Sequence, residues 1–364
     1  MHIVFSNYDD INNPYYGGGG AIAIHQLATR LQPRHAITIY TGSYPHAKNE
    51  IIDNIIYKRI GFPWMGPKLG QLFFQLSLPI LAMTQTFDIW VESFTPPFSA
   101  AFLPLFTKKP VIATTHFLSA IHKAKQYKLP FHWIEQLGLK HYQHLVALTP
   151  KIEAQILTSN PTAQIKVIPN GTLIKRSKVV VSPKNYFLYL GRLDLNQKGL
   201  DLLIQSFAQV HHQLSDTLVI AGSGSAPNKS KLKKLIHKHK LQDKVTVLGH
   251  IDGNRKIKLI RYAKALLMPS RYEGQPLTCI EAIVLGTPII CFNISDISWL
   301  TNQICLKATA LSPRSFAHQL QKISTSKQLR EKLSQNCLAQ ADQYDWDSIA
   351  YKYDQLITKV SQAS

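Results

Sequence analysis

Short apolar runs, each closed by a turn and followed by a stretch of helical composition, recur along most of this chain. Strand-like runs at 1–7, 36–40, 51–59, 88–91, 110–116, 144–148 and 165–168 form a first series. A second occupies 186–190, 217–221, 245–248, 263–268 and 289–292. Helical stretches at 21–31, 131–144, 200–213, 229–240 and 254–263 separate them, and the tail after 292 reads as helical throughout. Strands that alternate with helices at this spacing form parallel, doubly wound α/β sheets. With 364 residues, 45% of them apolar, the chain exceeds what one core serves. Two such domains are expected, 1–172 and 184–343, joined by a basic linker and followed by a terminal helix at 344–364.

The densest chemistry sits at the end of the 263–268 run, in Pro269-Ser270-Arg271-Tyr272-Glu273-Gly274-Gln275-Pro276-Leu277-Thr278-Cys279-Ile280-Glu281. Open α/β sheets bind ligands at the carboxyl ends of their strands. Glu273 falls in that loop and Glu281 in the helix that follows. Gly274 lets a ligand approach the backbone, and Pro276 opens the helix where its missing N–H loses nothing. The amides of Leu277 and Thr278 then point outward as anion donors. Two acids beside an anion cradle suit a sugar next to a diphosphate, although a capped helix with acids in its first turns uses the same residues.

Other loops carry related signals. Arg192 and Lys198 flank the loop from Gly191 to Gly199, one as a planar fork and the other as a mobile point charge. Gly222-Ser223-Gly224 is a half-formed dinucleotide motif with Pro227 where the third glycine would stand. The first domain offers the glycine loop 17–20 between a strand and a helix. His116 closes its strand at the carboxyl edge, and for it a ligand contact and a structural role both remain open among 15 histidines. Asp345-Trp346-Asp347 has the spacing of a metal-binding pair of acids but reads as the first turn of a helix, so no metal site is expected.

A net charge of +20 attracts polyanions in general. Neither zinc-finger spacing nor an aromatic-basic repeat is present, so nucleic acid is not an expected partner. The four cysteines are far apart, which argues against a disulfide framework and for a reducing, cytoplasmic compartment. The N-terminus reads as a strand and not as a secretion signal. Residues 69–83 are apolar but too short and polar to span a bilayer. They read as a core helix, with a membrane-interface helix beside Trp64, Lys58, Arg59 and Lys68 as the alternative.

Taken in order, the glycine loop, Pro169-Asn170-Gly171, the G-R-L…K-G of 191–199 and the E-G-x-P-L-x-x-x-E-A of 273–282 resemble the retaining glycosyltransferases of GT-B fold. That group includes the phosphatidylinositol mannosyltransferases and many bacterial polysaccharide and lipopolysaccharide transferases. The resemblance implies two Rossmann-like domains facing a cleft, with the last helix crossing back to the first. It further implies that Arg192 and Lys198 grip the donor diphosphate, that Glu281 accepts ribose hydroxyls and that Glu273 holds the transferred sugar. His116 would contact that sugar, with Gly18, Gly19, Asn170, Gly191, Gly222, Gly274, Leu277 and Thr278 lining the donor. Gln275 departs from the aromatic or small residue usual after E-G. The expected partners are a nucleotide sugar, a saccharide or lipid-linked acceptor and an anionic membrane surface, with no metal or other cofactor. A nucleotide-sugar epimerase or hydrolase on the same scaffold is the rival reading.

Overall fold

The computed structural model describes residues 1–13, 19–94, 100–116, 118 and 131–363. Gly18 lies outside them. The chain forms two compact units, Met1–Gly171 with Trp346–Ser364, and Thr172–Asp345.

The first unit holds β1 (His2–Ser6), β2 (Ala36–Gly42), β3 (Glu50–Ile52), β4 (Ile55–Ile60), β5 (Ile89–Phe94), β6 (Val111–Thr115), β7 (His144–Ala147) and β8 (Gln164–Val167). They assemble in the order β3-β4-β2-β1-β5-β6-β7-β8. Among the described strands only β3 runs antiparallel to its neighbour. The single strand expected at 51–59 is instead a hairpin. Asp53 and Asn54 take φ of 52° and 61°, the two-residue left-handed turn that Asp and Asn tolerate. The apolar residues on both sides hid that turn.

Helix α1 (Gly19–Leu31) buries Ile24 and Leu27 on one face of this sheet. The terminal helix Trp346–Gln362 adds Trp346, Ile349, Tyr353 and Ile357 to the same cluster. A Cβ on Gly171 would lie 2.7 Å from the Trp346 ring, so glycine is what lets that ring close over the chain. Asp347, in the first helical turn, pairs with Arg30 at 2.5 Å.

The opposite face packs Phe74, Leu78, Trp90 and Tyr142. There Glu92 on β5 is fully enclosed, accepting from the Ala101 amide at 2.6 Å and from the Tyr142 hydroxyl. Burial pushes its carboxyl up to about 7. Because the folded form then holds its proton more tightly than the unfolded chain, this group favours folding below about pH 4.5 and loses that contribution as pH rises through 7. Stability should therefore decline by about 2–3 kcal/mol between pH 5 and 8 on account of this one group. Urea titrations of Glu92→Gln should show a correspondingly flatter pH dependence, and an unchanged slope would contradict this account.

The second unit holds β9 (Tyr186–Leu190), β10 (Thr217–Ala221), β11 (Val245–Gly249), β12 (Leu266–Met268), β13 (Ile289–Phe292) and β14 (Cys305–Ala308). Their order is β11-β10-β9-β12-β13-β14, and every described pairing is parallel. Strand β14 corrects the expectation of an all-helical tail: four residues with Lys307 among them are too few to show a period. The supposed linker is also corrected. The Ser177 amide donates to Val284 O at 2.8 Å and Ile174 packs on the second unit's core, so 172–183 is built into that unit.

In each sheet the winding reverses once, between β1 and β5 and between β9 and β12. Crevices at such reversals, outside the strand carboxyl ends, are where this architecture takes ligands.

Candidate active site

The loops that follow β9 and β12 emerge at the second unit's reversal point and are locked together by backbone contacts. The Arg271 amide donates to Gln197 O at 2.9 Å. Its guanidinium donates to Asn196 O at 2.7 Å and grips Asp201 in a fork of 2.8 and 2.7 Å. Gly199 sits at φ 64°, and a Cβ there would stand 1.9 Å from Pro269 O. Only glycine fits, because both the backbone angle and the neighbouring carbonyl exclude a side chain.

This clamp brings Lys198 to Glu273. The ammonium lies 2.6 Å from Glu273 Oε1, which also accepts from the Ser270 hydroxyl at 2.6 Å. The Glu273 amide donates to Asp296 Oδ2 at 3.1 Å, fixing the carboxylate-bearing residue from behind. Arg192, more exposed, donates to Gln197 Oε1 at 2.5 Å within the same loop. Both Arg192 and Glu273 act on the buried Tyr189 phenol, whose pKa rises through burial first and then through Glu273, with Arg192 opposing.

The helix Leu277–Leu285 begins directly beyond, with Pro276 as N-cap and no side-chain cap. The amides of Leu277 and Thr278 fall in the first turn, where a helix offers them no internal acceptor. Glu281 faces inward, with Oε1 2.6 Å from the Lys256 ammonium and Oε2 buried without a partner among the described residues. Burial raises its pKa while Lys256 opposes the rise. Cys279 stands in the field of both acids: burial, then Glu273, with Glu281 adding to them, keeps its thiol protonated. Glu273 and Glu281 thus share one neighbourhood around Cys279.

The glycines assigned to the donor divide by their surroundings. A Cβ on Gly222, at φ 148°, would lie 1.7 Å from Gly191 O. Close packing of one turn on the other is therefore sufficient reason for glycine at 222. Gly224 presses in the same way on Leu193, at 2.6 Å. Gly274 occupies the turn between the two acids.

In the first unit, Gly19 opens α1 and His116 stands just past the end of β6. His116 borders a small cavity, about 20 Å³, with Asn170, Thr114, Trp346 and Tyr353. That space admits a single water. Its Nε2 is buried without a partner among the described residues, and burial pushes the ring down to about 4, so the imidazole is neutral at pH 7.

Lys256, Ser270, Asp296 and Arg271 were not singled out from sequence; their roles depend on contacts spanning up to 76 positions. A carboxylate in the first unit was also missed. Asp9 follows β1 at its carboxyl end, and burial raises it to about 6. The adjacent Asp10 is structural: it is fully buried and accepts from Arg59 Nε at 3.0 Å and the Thr41 hydroxyl at 2.7 Å.

Two doubly wound parallel units, the second with acids and cations gathered at its reversal point, are the architecture of the GT-B glycosyltransferases. Residues 172–339 match the family model described as Glycosyl transferases group 1, and residues 17–176 match that described as Glycosyltransferase Family 4. An uncharacterized glycosyltransferase of Methanocaldococcus jannaschii is 25% identical over 242 residues, covering 60% of each chain. The chain therefore spans less than two thirds of that relative. Among solved structures, sucrose-phosphate synthase of Thermosynechococcus elongatus is similar over 100% of both chains, with a TM-score of 0.82 at 19% identity. HepE of Anabaena, solved with UDP and glucose, is similar over 99% of this chain and 100% of its own, with a TM-score of 0.76 at 15% identity.

Proposed function

We propose that this protein transfers a hexose from a nucleotide diphosphate sugar to a hydroxyl of a saccharide or lipid-linked acceptor, in cell-envelope glycan or glycolipid synthesis, with retention at the anomeric carbon. The observation that carries this reading is the meeting of Lys198 and Glu273 at the second sheet's reversal point, against the start of the helix Leu277–Leu285. HepE of Anabaena holds UDP and glucose, which makes a uridine diphosphate sugar the first donor to try.

In the reaction the anomeric carbon–oxygen bond breaks and its electron pair leaves with the diphosphate. The acceptor oxygen forms the new bond on the same face, and its proton passes to a departing phosphate oxygen. Positive charge grows on the sugar ring and negative charge on the leaving group. Arg192, Lys198 and the amides of Leu277 and Thr278 meet that negative charge, the task a divalent ion performs in other transferases, so the proposal requires neither metal nor other cofactor. Glu273 holds sugar hydroxyls, its other contacts leaving it fixed in place by Ser270 and Asp296. Glu281 Oε2, an acceptor without a donor among the described residues, takes a ribose hydroxyl. His116, uncharged at pH 7, serves by hydrogen bonding and not as a cation. Gly18, Gly19, Asn170, Gly191, Gly222 and Gly274 complete the donor's surroundings in this proposal.

The test is to incubate the donor with and without acceptor and follow the anomeric proton by NMR. Transfer with the donor's own anomeric configuration supports the proposal. Rapid free or epimerised sugar with donor alone, and no transfer when acceptor is added, points to the hydrolase or epimerase reading instead.

A further inference from the structure

Helix α2 (Gly66–Thr84) reverses the usual order of a surface helix, which turns its apolar side inward and its charges outward. Its inner stripe is ordinary: Phe74, Leu78 and Ala82 are buried in the core of the first unit. The outward stripe recurs every three or four residues and is apolar along the whole helix. Leu69 is 60% exposed, Leu76 64%, Ile80 58% and Met83 59%, with Leu72 and Phe73 between them. The flanking 3-10 turn Pro63–Met65 extends the stripe with Trp64, 77% exposed, which stacks on Phe62, which in turn packs on Phe73. Exposed Ile51 and Ile56 pair across the β3–β4 hairpin nearby. A contiguous apolar face of this kind marks a surface that another phase or partner covers.

The charges around it decide which. No acidic residue occurs between Asp53 and Asp88, whereas Lys58 and Lys68 lie within that interval. Lys58 stands over the Tyr40 ring on the α2 side of the sheet, and Lys68 is exposed on α2 itself. Lys108 and Lys109 are exposed just past the turn Leu103–Leu105, which packs against α2. Arg59, by contrast, is buried against Asp10 and Glu50 and takes no part. Two copies meeting through this face would bring like charges together, while anionic headgroups would be attracted to every one of them. No helix among the described residues is long and apolar enough to cross a membrane, so a helix bearing this stripe would lie in the plane of the interface.

We infer that the outer face of α2, with Phe62 and Trp64, inserts into the surface of an anionic lipid bilayer, and that Lys58, Lys68, Lys108 and Lys109 contact its headgroups. This favours the membrane-interface reading of 69–83 over a helix wholly inside the core. The inference does not depend on the catalytic proposal, because lipid binding is measured without donor or acceptor.

The experiment is cosedimentation of the full chain with phosphatidylcholine vesicles, with and without phosphatidylglycerol, at low salt. The wild type should bind the anionic vesicles and release as salt rises. Leu76→Glu/Ile80→Glu should weaken binding about tenfold or more without lowering Tm, since both positions face solvent. Phe62→Ser/Trp64→Ser, in a different element, should weaken it too. Lys231→Glu/Lys234→Glu, on the basic helix Ala226–Lys238 of the second unit, should leave it nearly unchanged. Absence of wild-type binding, or equal binding by both α2-face variants, overturns the inference. Loss of binding confined to the second-unit variant overturns it as well. A concentration-dependent dimer dissolved by Leu76→Glu/Ile80→Glu, without vesicle binding, would assign the face to a second copy and overturn it too.

Discussion

Lys198→Ala should lower kcat by about a hundredfold or more, leaving the fold intact. Its ammonium is the cation that the structure seats directly beside Glu273, at 2.6 Å, while still keeping part of its surface open. Removing a donor that meets developing negative charge raises a barrier by about 3 kcal/mol, which sets the size of the effect. The same change also strips Glu273 of its counter-ion, leaving Ser270 as its remaining described side-chain partner. Arg192→Ala should act in the same direction and likewise spare the fold, since its described side-chain bond is made to Gln197 in its own loop. The proposal has both cations serve one leaving group, so the double variant should lose less than the product of the two single losses. Wild-type kcat in both single variants would show that the 191–199 loop does not touch the diphosphate.

Gly199→Ala should be nearly as damaging by a different route, with a lower Tm and a loss of turnover comparable to that of Lys198→Ala. The added methyl would meet Pro269 O at 1.9 Å, and the left-handed backbone at φ 64° already disfavours alanine by about 1 kcal/mol. A carbonyl cannot rotate aside as a side chain does, so the two loops must part. The combined destabilisation should reach about 3 kcal/mol. Parting them separates Lys198 from Glu273, which is why activity and stability should fall together. A variant with wild-type Tm and kcat would show that the clamp between these loops matters to neither.

The sequence disclosed strands better than it disclosed their partners. Strands β9 and β10 fall at the limits that their apolar runs suggest, because buried parallel strands announce themselves as unbroken Val, Ile, Leu and aromatic residues. Strand β14 did not, being four residues long with a lysine inside. The β3–β4 hairpin was hidden for a related reason, since its turn uses Asp53-Asn54 with apolar residues on either side. At the candidate site, the loops and their charges were legible from residue type and position alone. Lys256 beside Glu281 was not, because it reaches across from the helix Gly253–Arg261, whose sequence looks like an ordinary solvated surface. Likewise Asp296 meets the Glu273 amide only once β12 and β13 lie side by side. The outer face of α2 was ambiguous for the opposite reason: apolar composition cannot say which side of a helix meets the core.

The central claim is that the second unit binds a nucleotide diphosphate sugar through Lys198 and the acids around it. A thermal-shift titration of wild type, Lys198→Ala and Glu281→Gln with UDP, GDP and ADP sugars tests it most directly, since a ligand that binds only the folded chain raises Tm by mass action. One nucleotide sugar should raise the wild-type Tm in a saturable way, with the shift much reduced in both variants. Either no shift with any of the three nucleotides, or equal shifts in all three proteins, would contradict the claim.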